Sequence, residues 1–258
     1  MVVGTALEVI TRLGGSFVSR WLHVVVGITW IGLLYYFNFV QTPAFAELDA
    51  DARNKAMDKI TWRALWWFRW SAMATLLTGI LILAFGVNGA ESDFTSSDFW
   101  KSNERVAIAT GILLAVTMFA NVWLVIWPKQ QVVIANARNV LAGGEADPAT
   151  PDAARRGALA SRMNTIFSIP MLLFMVGAPH FFGASAQWDA AGQSGKRTVY
   201  WIVTVIVWGV LELNALGLIA GTAQNWTKKI YETHLNAIIT GFVLAVGWYA
   251  LWEIVLRA

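Results

Sequence analysis

The sequence predicts an all-α integral membrane protein, a single domain over residues 1–258 built as a bundle of six transmembrane helices with an N-terminal interfacial helix. Three observations carry this. Hydrophobic residues are 57% of the 258 and charged residues 14%, where a soluble domain carries roughly a quarter charged. The mean hydropathy is +0.55, with the apolar residues gathered into blocks long enough to cross about 30 Å of hydrocarbon at about 1.5 Å per residue. No stretch sustains the alternation that a membrane β-barrel needs.

The six blocks are Trp21–Gln41, Ala64–Gly86, Val106–Trp127, Met163–Phe182, Val199–Ala220 and Leu235–Leu256. Glycines recur inside them, among them Gly27, Gly79, Gly111, Gly209 and Gly241, as close helix packing in lipid requires. Ahead of the first block, Val3, Leu7, Ile10 and Phe17 share one helical face, with Glu8, Thr11 and Arg12 off it. That pattern suits a helix lying in the interface rather than a signal peptide, which would open on a positive cluster. Loop 3 is the longest loop. Its irregular part is expected at Gly143–Arg156, with two prolines and small polar residues, flanked by helical extensions of spans 3 and 4.

Composition also excludes functions. There is no cysteine, hence no disulfide, iron–sulfur cluster, thiolate zinc or blue-copper site, or C-x-x-C-H haem attachment. The net charge is only +3 and is spread over loops, which speaks against nucleic acid as a partner. The fifteen tryptophans are mostly expected in interfacial belts, with a few able to line a planar cofactor.

Ionisable residues inside a bilayer are expensive and mark candidate sites. His23 opens span 1, His180 ends span 4 just after Pro179, and His234 begins span 6. His23 and His180 therefore share a predicted depth, which His234 does not. Two imidazoles at one depth on different helices suit a b-type haem held from both faces. Pro179 can end or kink its helix and aim His180 inward. Interfacial histidines without a cofactor fit the same spacing, and copper lacks a third strong ligand nearby. Arg69 in span 2 and Glu212 in span 5 are expected to be satisfied within the bundle, by each other or by other buried polar groups.

Three segments resemble the membrane-bound urate hydroxylase family, the urate oxidase N-terminal membrane domain. They are Leu22-His23 through Trp30-Ile31-Gly32-Leu33-Leu34-Tyr35-Tyr36, then Val125-Ile126-Trp127-Pro128-Lys129-Gln130-Gln131, then Ser161-Arg162-Met163-Asn164-Thr165-Ile166-Phe167-Ser168-Ile169-Pro170-Met171-Leu172 leading to His180. The likeness is clearest from about residue 20 to 185. A weaker one, through the His-to-Trp spacing of span 1, extends to the membrane protoporphyrinogen oxidase and copper-resistance membrane families. The resemblance implies a redox membrane domain in which His23 and His180 are the haem b (and so metal) ligands, with Trp30 beside the cofactor. That family usually continues into a C-terminal c-type cytochrome domain, which this sequence lacks. The electron carrier is then expected to be a separate cytochrome c or quinone. The reading from another class is a cofactor-free accessory subunit of a larger membrane complex. A small-solute transporter is disfavoured, because no pair of broken helices related by repeat symmetry is evident.

Lysines and arginines outside the blocks number eleven in loops 1, 3 and 5 and seven on the other side. The positive-inside rule then puts both termini outside, in the periplasm if the bilayer is a bacterial inner membrane. Reporter fusions at Ala258 and in loop 3 check this: Ala258 is expected to report the outside and loop 3 the cytoplasm. A cytoplasmic signal at Ala258 reverses the orientation.

Overall fold

The computed structural model describes residues 8–86, 102–182 and 194–257. Among these, six helices are long and apolar enough to cross a membrane: α1 (Arg12–Glu47), α2 (Ala50–Phe85), α3 (Glu104–Leu141), α4 (Thr150–Phe182), α5 (Gly195–Ala215) and α6 (His234–Leu256). No strand occurs among the described residues. The chain is an integral membrane protein of the expected all-α class.

Helix starts follow capping chemistry, in which a short polar side chain accepts from an amide that has no partner in the first turn. Thr11 Oγ1 accepts from Gly14 N at 3.2 Å and Asp49 Oδ1 from Ala52 N at 2.9 Å. Ser102 Oγ accepts from Arg105 N at 3.2 Å and Thr233 Oγ1 from Asn236 N at 3.1 Å. The first cap explains a difference from the apolar pattern. The α1 helix begins at Arg12, so Phe17 rides on the same continuous helix as His23. Ahead of it Glu8–Ile10 form a short 3-10 turn; Val3 and Leu7 lie outside the described residues.

Helices α1 to α4 outrun the apolar blocks at the end formed by loops 1, 3 and 5, which we call the basic end. Pro151 sits in the first turn of α4, where the missing N–H costs nothing, and Pro43 and Pro128 directly follow the π-helical turns Tyr36–Gln41 and Asn121–Ile126 inside α1 and α3. The irregular part of loop 3 is consequently shorter than the composition suggests. The last helix before it ends at Leu141, and α4 resumes at Thr150 rather than after Arg156. Helix α5 stops at Ala215, short of Ala220, because Gly217 takes a φ of 79° and Leu218 N turns back to Leu213 O at 2.9 Å.

The middle of the bundle is α4. It packs against α3 on one side and α6 on the other, while α1 lies along α2. Burial follows this order: half of the apolar window of α4 is buried, against 17% for α1. Met163, Ile166, Phe167 and Phe174 of α4 meet Leu114 and Met118 of α3 and Trp248 and Trp252 of α6 in the core. Several helices loosen into π-helical turns, among them Tyr36–Gln41, Met57–Thr61, Asn121–Ile126 and Ala178–Phe182.

Gly241 shows how tightly α6 seats on α4. A Cβ there would lie 3.0 Å from Ile166 O and 2.6 Å from the Ile169 side chain. Gly209 on α5 has nothing within 4 Å. Gly241→Ala is therefore expected to lower stability in detergent by about 1–3 kcal/mol through overpacking. Gly209→Ala is expected to leave it within about 0.5 kcal/mol. Thermal unfolding of the two variants in one detergent separates them.

Candidate functional site

The polar residues form three groups, each fixed by the packing around α4. The first holds the histidines. Tyr35 OH and Ser168 Oγ are 2.9 Å apart, which sets the register between antiparallel α1 and α4. His23 precedes Tyr35 by twelve residues and His180 follows Ser168 by twelve, so the register carries both to a similar height. His234 sits at the basic end, where its ring lies 6.2 Å from Phe39. His23 is half-buried against α2. Its Nδ1 is 3.1 Å from Thr78 Oγ1 and its ring edge faces Gly79. His180 is exposed on the π-helical turn that follows Gly177. No contact joins the two rings among the described residues. From that height toward the bundle centre, α1 exposes Val24 and Ile28, while α4 exposes Val176 and Leu172, one and two turns before His180. Trp30 is 2% exposed and its indole N–H has no partner among the described residues.

The second group runs through α3, α4 and α5. Arg69 and Glu212 do not pair. The Arg69 guanidinium lies 3.7 Å from the centroid of Trp127 and 5.0 Å from that of Trp123, so cation–π contact replaces the carboxylate. Glu212, 6% exposed, instead accepts from Asn121 Nδ2 at 3.3 Å. The same amide donates to Asn164 Oδ1 at 3.0 Å, and Asn164 Nδ2 donates to Met118 O at 3.0 Å. Lys228 is fully buried although its sequence position lies in loop 5. Its ammonium donates to Asn214 O, to Asn214 Oδ1 at 3.1 Å and to Ile219 O at 3.3 Å. Beside it Arg155 holds Glu232 with two bonds of 3.0 and 2.7 Å.

The third group surrounds a cavity of about 110 Å³ toward the basic end, between α1, α2, α3 and α4. Arg162 lines it, 7% exposed, with Asn38 O at 3.2 Å as the acceptor of its Nη1. Sequence reasoning missed Arg162 and Lys228, counting both as loop cations. Arg162 carried one usable signal, since it stands directly before span 4 within Ser161-Arg162-Met163-Asn164. Lys228 carried none, because its burial depends on the turn after α5. Among the described residues no group of three or more His, Asp or Glu side chains stands ready for a metal.

The fold and its polar interior define a six-span helical membrane protein of the α-bundle class. Residues 90–208 match the family described as urate oxidase N-terminal, and two of the three segments that resemble it lie within the match. The match takes in Asn121, Gln130, Arg162, Asn164 and His180, whereas His23 and Trp30 precede it. No curated protein and no solved structure matches the chain.

The Arg155–Glu232 pair supplies a pH test. The two bonds from Arg155 hold the Glu232 carboxyl below the usual glutamate range, against the opposing effect of its burial. A carboxylate whose folded value is depressed contributes stability that is present above its unfolded value and lost as pH falls through the folded one. Thermal stability is expected to decline on acidification below about pH 4, the ordinary glutamate region. Glu232→Gln is expected to be less stable at neutral pH and to show less of that decline. Parallel curves for variant and wild type would exclude the pair as the source.

Proposed function

We propose that the chain is a haem-b-binding redox domain of urate-hydroxylase type, in which His23 and His180 would hold the haem iron. In this reading it passes electrons to or from a separate carrier, a cytochrome c or a quinone, at the periplasmic side of a bacterial inner membrane. The observation that carries the proposal is the register of α1 and α4, which brings the two histidines to a similar height. The residues fit the group. Thr78 engages His23 through Nδ1, leaving Nε2 free to ligate, which is the usual way a second partner fixes a ligating imidazole. The strip of Val24, Ile28, Leu172 and Val176 offers the apolar walls that a porphyrin needs. The unpartnered Trp30 indole can donate to a polar edge of the same group.

Bound haem supplies one-electron chemistry with a potential tuned by its axial ligands and by the polarity of its surroundings. The protein's share is positioning. Thr78 sets the rotation and tautomer of His23, the turn at Pro179 sets the approach of His180, and the apolar strip keeps water from the ligating nitrogens. The match to the urate oxidase N-terminal family supports the membrane part of a urate-hydroxylase-like oxidoreductase, and the substrate chemistry belongs to that proposal.

A reduced-minus-oxidised spectrum of the purified protein tests the reading. Wild type is expected to show a Soret band and bound iron. His23→Ala and His180→Ala are each expected to abolish or strongly shift that band, and His234→Ala to leave it largely intact. Loss of the band in His234→Ala alone would move the haem to the basic end. Wild type without iron or Soret band would leave the accessory-subunit reading in its place.

A further inference from the structure

We propose that the cavity around Arg162 is a binding site for a small organic anion, a carboxylate with a flat apolar body, entering from the basic end. The inference does not depend on haem binding at the opposite end. A guanidinium carries five N–H donors and cannot shed its charge. Arg162 is 7% exposed, and one of those donors meets Asn38 O. No carboxylate pairs with it among the described residues, and a buried charge without a counter-charge is costly. It lines a cavity of about 110 Å³, where a single water needs roughly 10–15 Å³.

Beside Arg162 the cavity offers donors from Gln41 and Ser161 as well as the acceptor oxygens of Asn38, Thr42 and Thr61, whose hydrogens are given to Leu34 O and Ser161, to Phe37 O and to Gln41. Gln41 uses its oxygen to accept from Thr61 at 3.0 Å, which leaves its amide N–H groups for the cavity. Ser161 Oγ is likewise an acceptor, from Asn38 Nδ2 at 2.8 Å, which leaves its O–H to donate. Gln130 contributes a further amide. A fixed cation with free donors beside it selects oxygen-bearing anions. Opposite these donors stand Phe37 and Phe68, packed edge to face with centroids 5.5 Å apart, and such rings favour a flat apolar body.

Access and construction agree with a site. Thr42 and Ala158 line the cavity and are exposed, so it reaches the surface at the basic end. Its walls take residues from three π-helical turns: Phe37 and Gln41 from the first, Thr61 from the second and Ile126 from the third. Such turns widen a helix locally and are frequent at functional sites. Three of them around one cavity hold its walls apart beside the fixed charge.

Benzoate, acetate and benzamide are the probes, titrated into the purified full-length protein in detergent with binding read by calorimetry and by the shift in Tm. Benzoate is expected to bind saturably and raise Tm. Acetate, without the ring, and benzamide, without the charge, are expected to bind more weakly. Arg162→Gln is expected to weaken benzoate by roughly 10- to 100-fold, the range of a lost charge-assisted contact. Because Arg162 also helps to fix α4 on α1, Gln130→Leu provides a second variant that keeps the charge. It is expected to weaken benzoate by roughly 3- to 10-fold. Equal affinity for benzamide, undiminished benzoate binding in both variants, or no saturable binding to wild type overturns the proposal. A phospholipid retained by wild type and lost from Arg162→Gln in native mass spectrometry overturns the ligand class.

Discussion

Within a bilayer a buried polar group gains most from a partner inside the protein, and here the central polar groups find theirs through α4. Asn164 is the centre of the arrangement, fully buried, accepting from Asn121 and donating to the Met118 carbonyl. Ser161 and Ser168 meet α1 through Asn38 and Tyr35, and Arg162 meets the Asn38 carbonyl. These bonds give α4 a fixed rotation and height against two neighbours at once. Dispersion packing alone would leave both adjustable, because lipid tails are as apolar as the core itself. The Tyr35–Ser168 contact that sets the level of the histidines is one member of this set, so the depth argument rests on the interior polar network.

The network is uneven along the membrane normal. Toward the basic end, α1 is tied to α4 by bonds from Asn38, and the polar residues of both helices enclose the Arg162 cavity. Beyond Ser168 no hydrogen bond ties the two helices among the described residues, and the apolar residues Leu172 and Val176 are exposed. In that region α1 is held by α2 instead, through Ser16 to Gly86 O at 3.0 Å and His23 to Thr78. The α1–α2 pair thus grips α4 at one end and is free of it at the other. A bundle so arranged leaves the polar contacts between α1 and α4 concentrated at the cavity end and apolar side chains at the histidine end.

Much of this was legible in the sequence, and the limits were physical. Length and apolar content fixed the six spans, since crossing hydrocarbon leaves few alternatives. Helix ends were harder. The α1 start at Arg12 depends on the Thr11 cap, and the early end of α5 depends on the positive φ of Gly217. Partners were hardest. Arg69 and Glu212 stood out as intramembrane charges, yet the sequence held two ways to satisfy each. The choice fell to Trp127 and Asn121, which lie on a helix between them in chain order. The burial of Lys228 follows from a turn that closes over it through Ile219 O, and no residue pattern within loop 5 encodes that closure.

The satisfied charges share a sign, and this has a consequence for the field inside the bundle. Arg162 and Lys228, buried, and Arg69, half-buried, all lie toward the basic end, and none forms a salt bridge among the described residues. Tryptophan faces stabilise Arg69, while backbone and amide oxygens take the bonds of Arg162 and Lys228. Dipoles lower the cost of such charges but do not cancel them, so the potential at this end stays positive. Glu212 is the buried counterweight, and it lies beside Asn121 rather than beside any of the three. Positive potential in a low-dielectric interior attracts anions more strongly than the same charges would in water. At the histidine end the groups beside His23 are uncharged: it faces a threonine and a glycine, and Trp30 offers only a neutral donor. Charge placement thus sets the buried cations of the basic end apart from the uncharged surroundings of His23, and the helix that joins the two ends is α4.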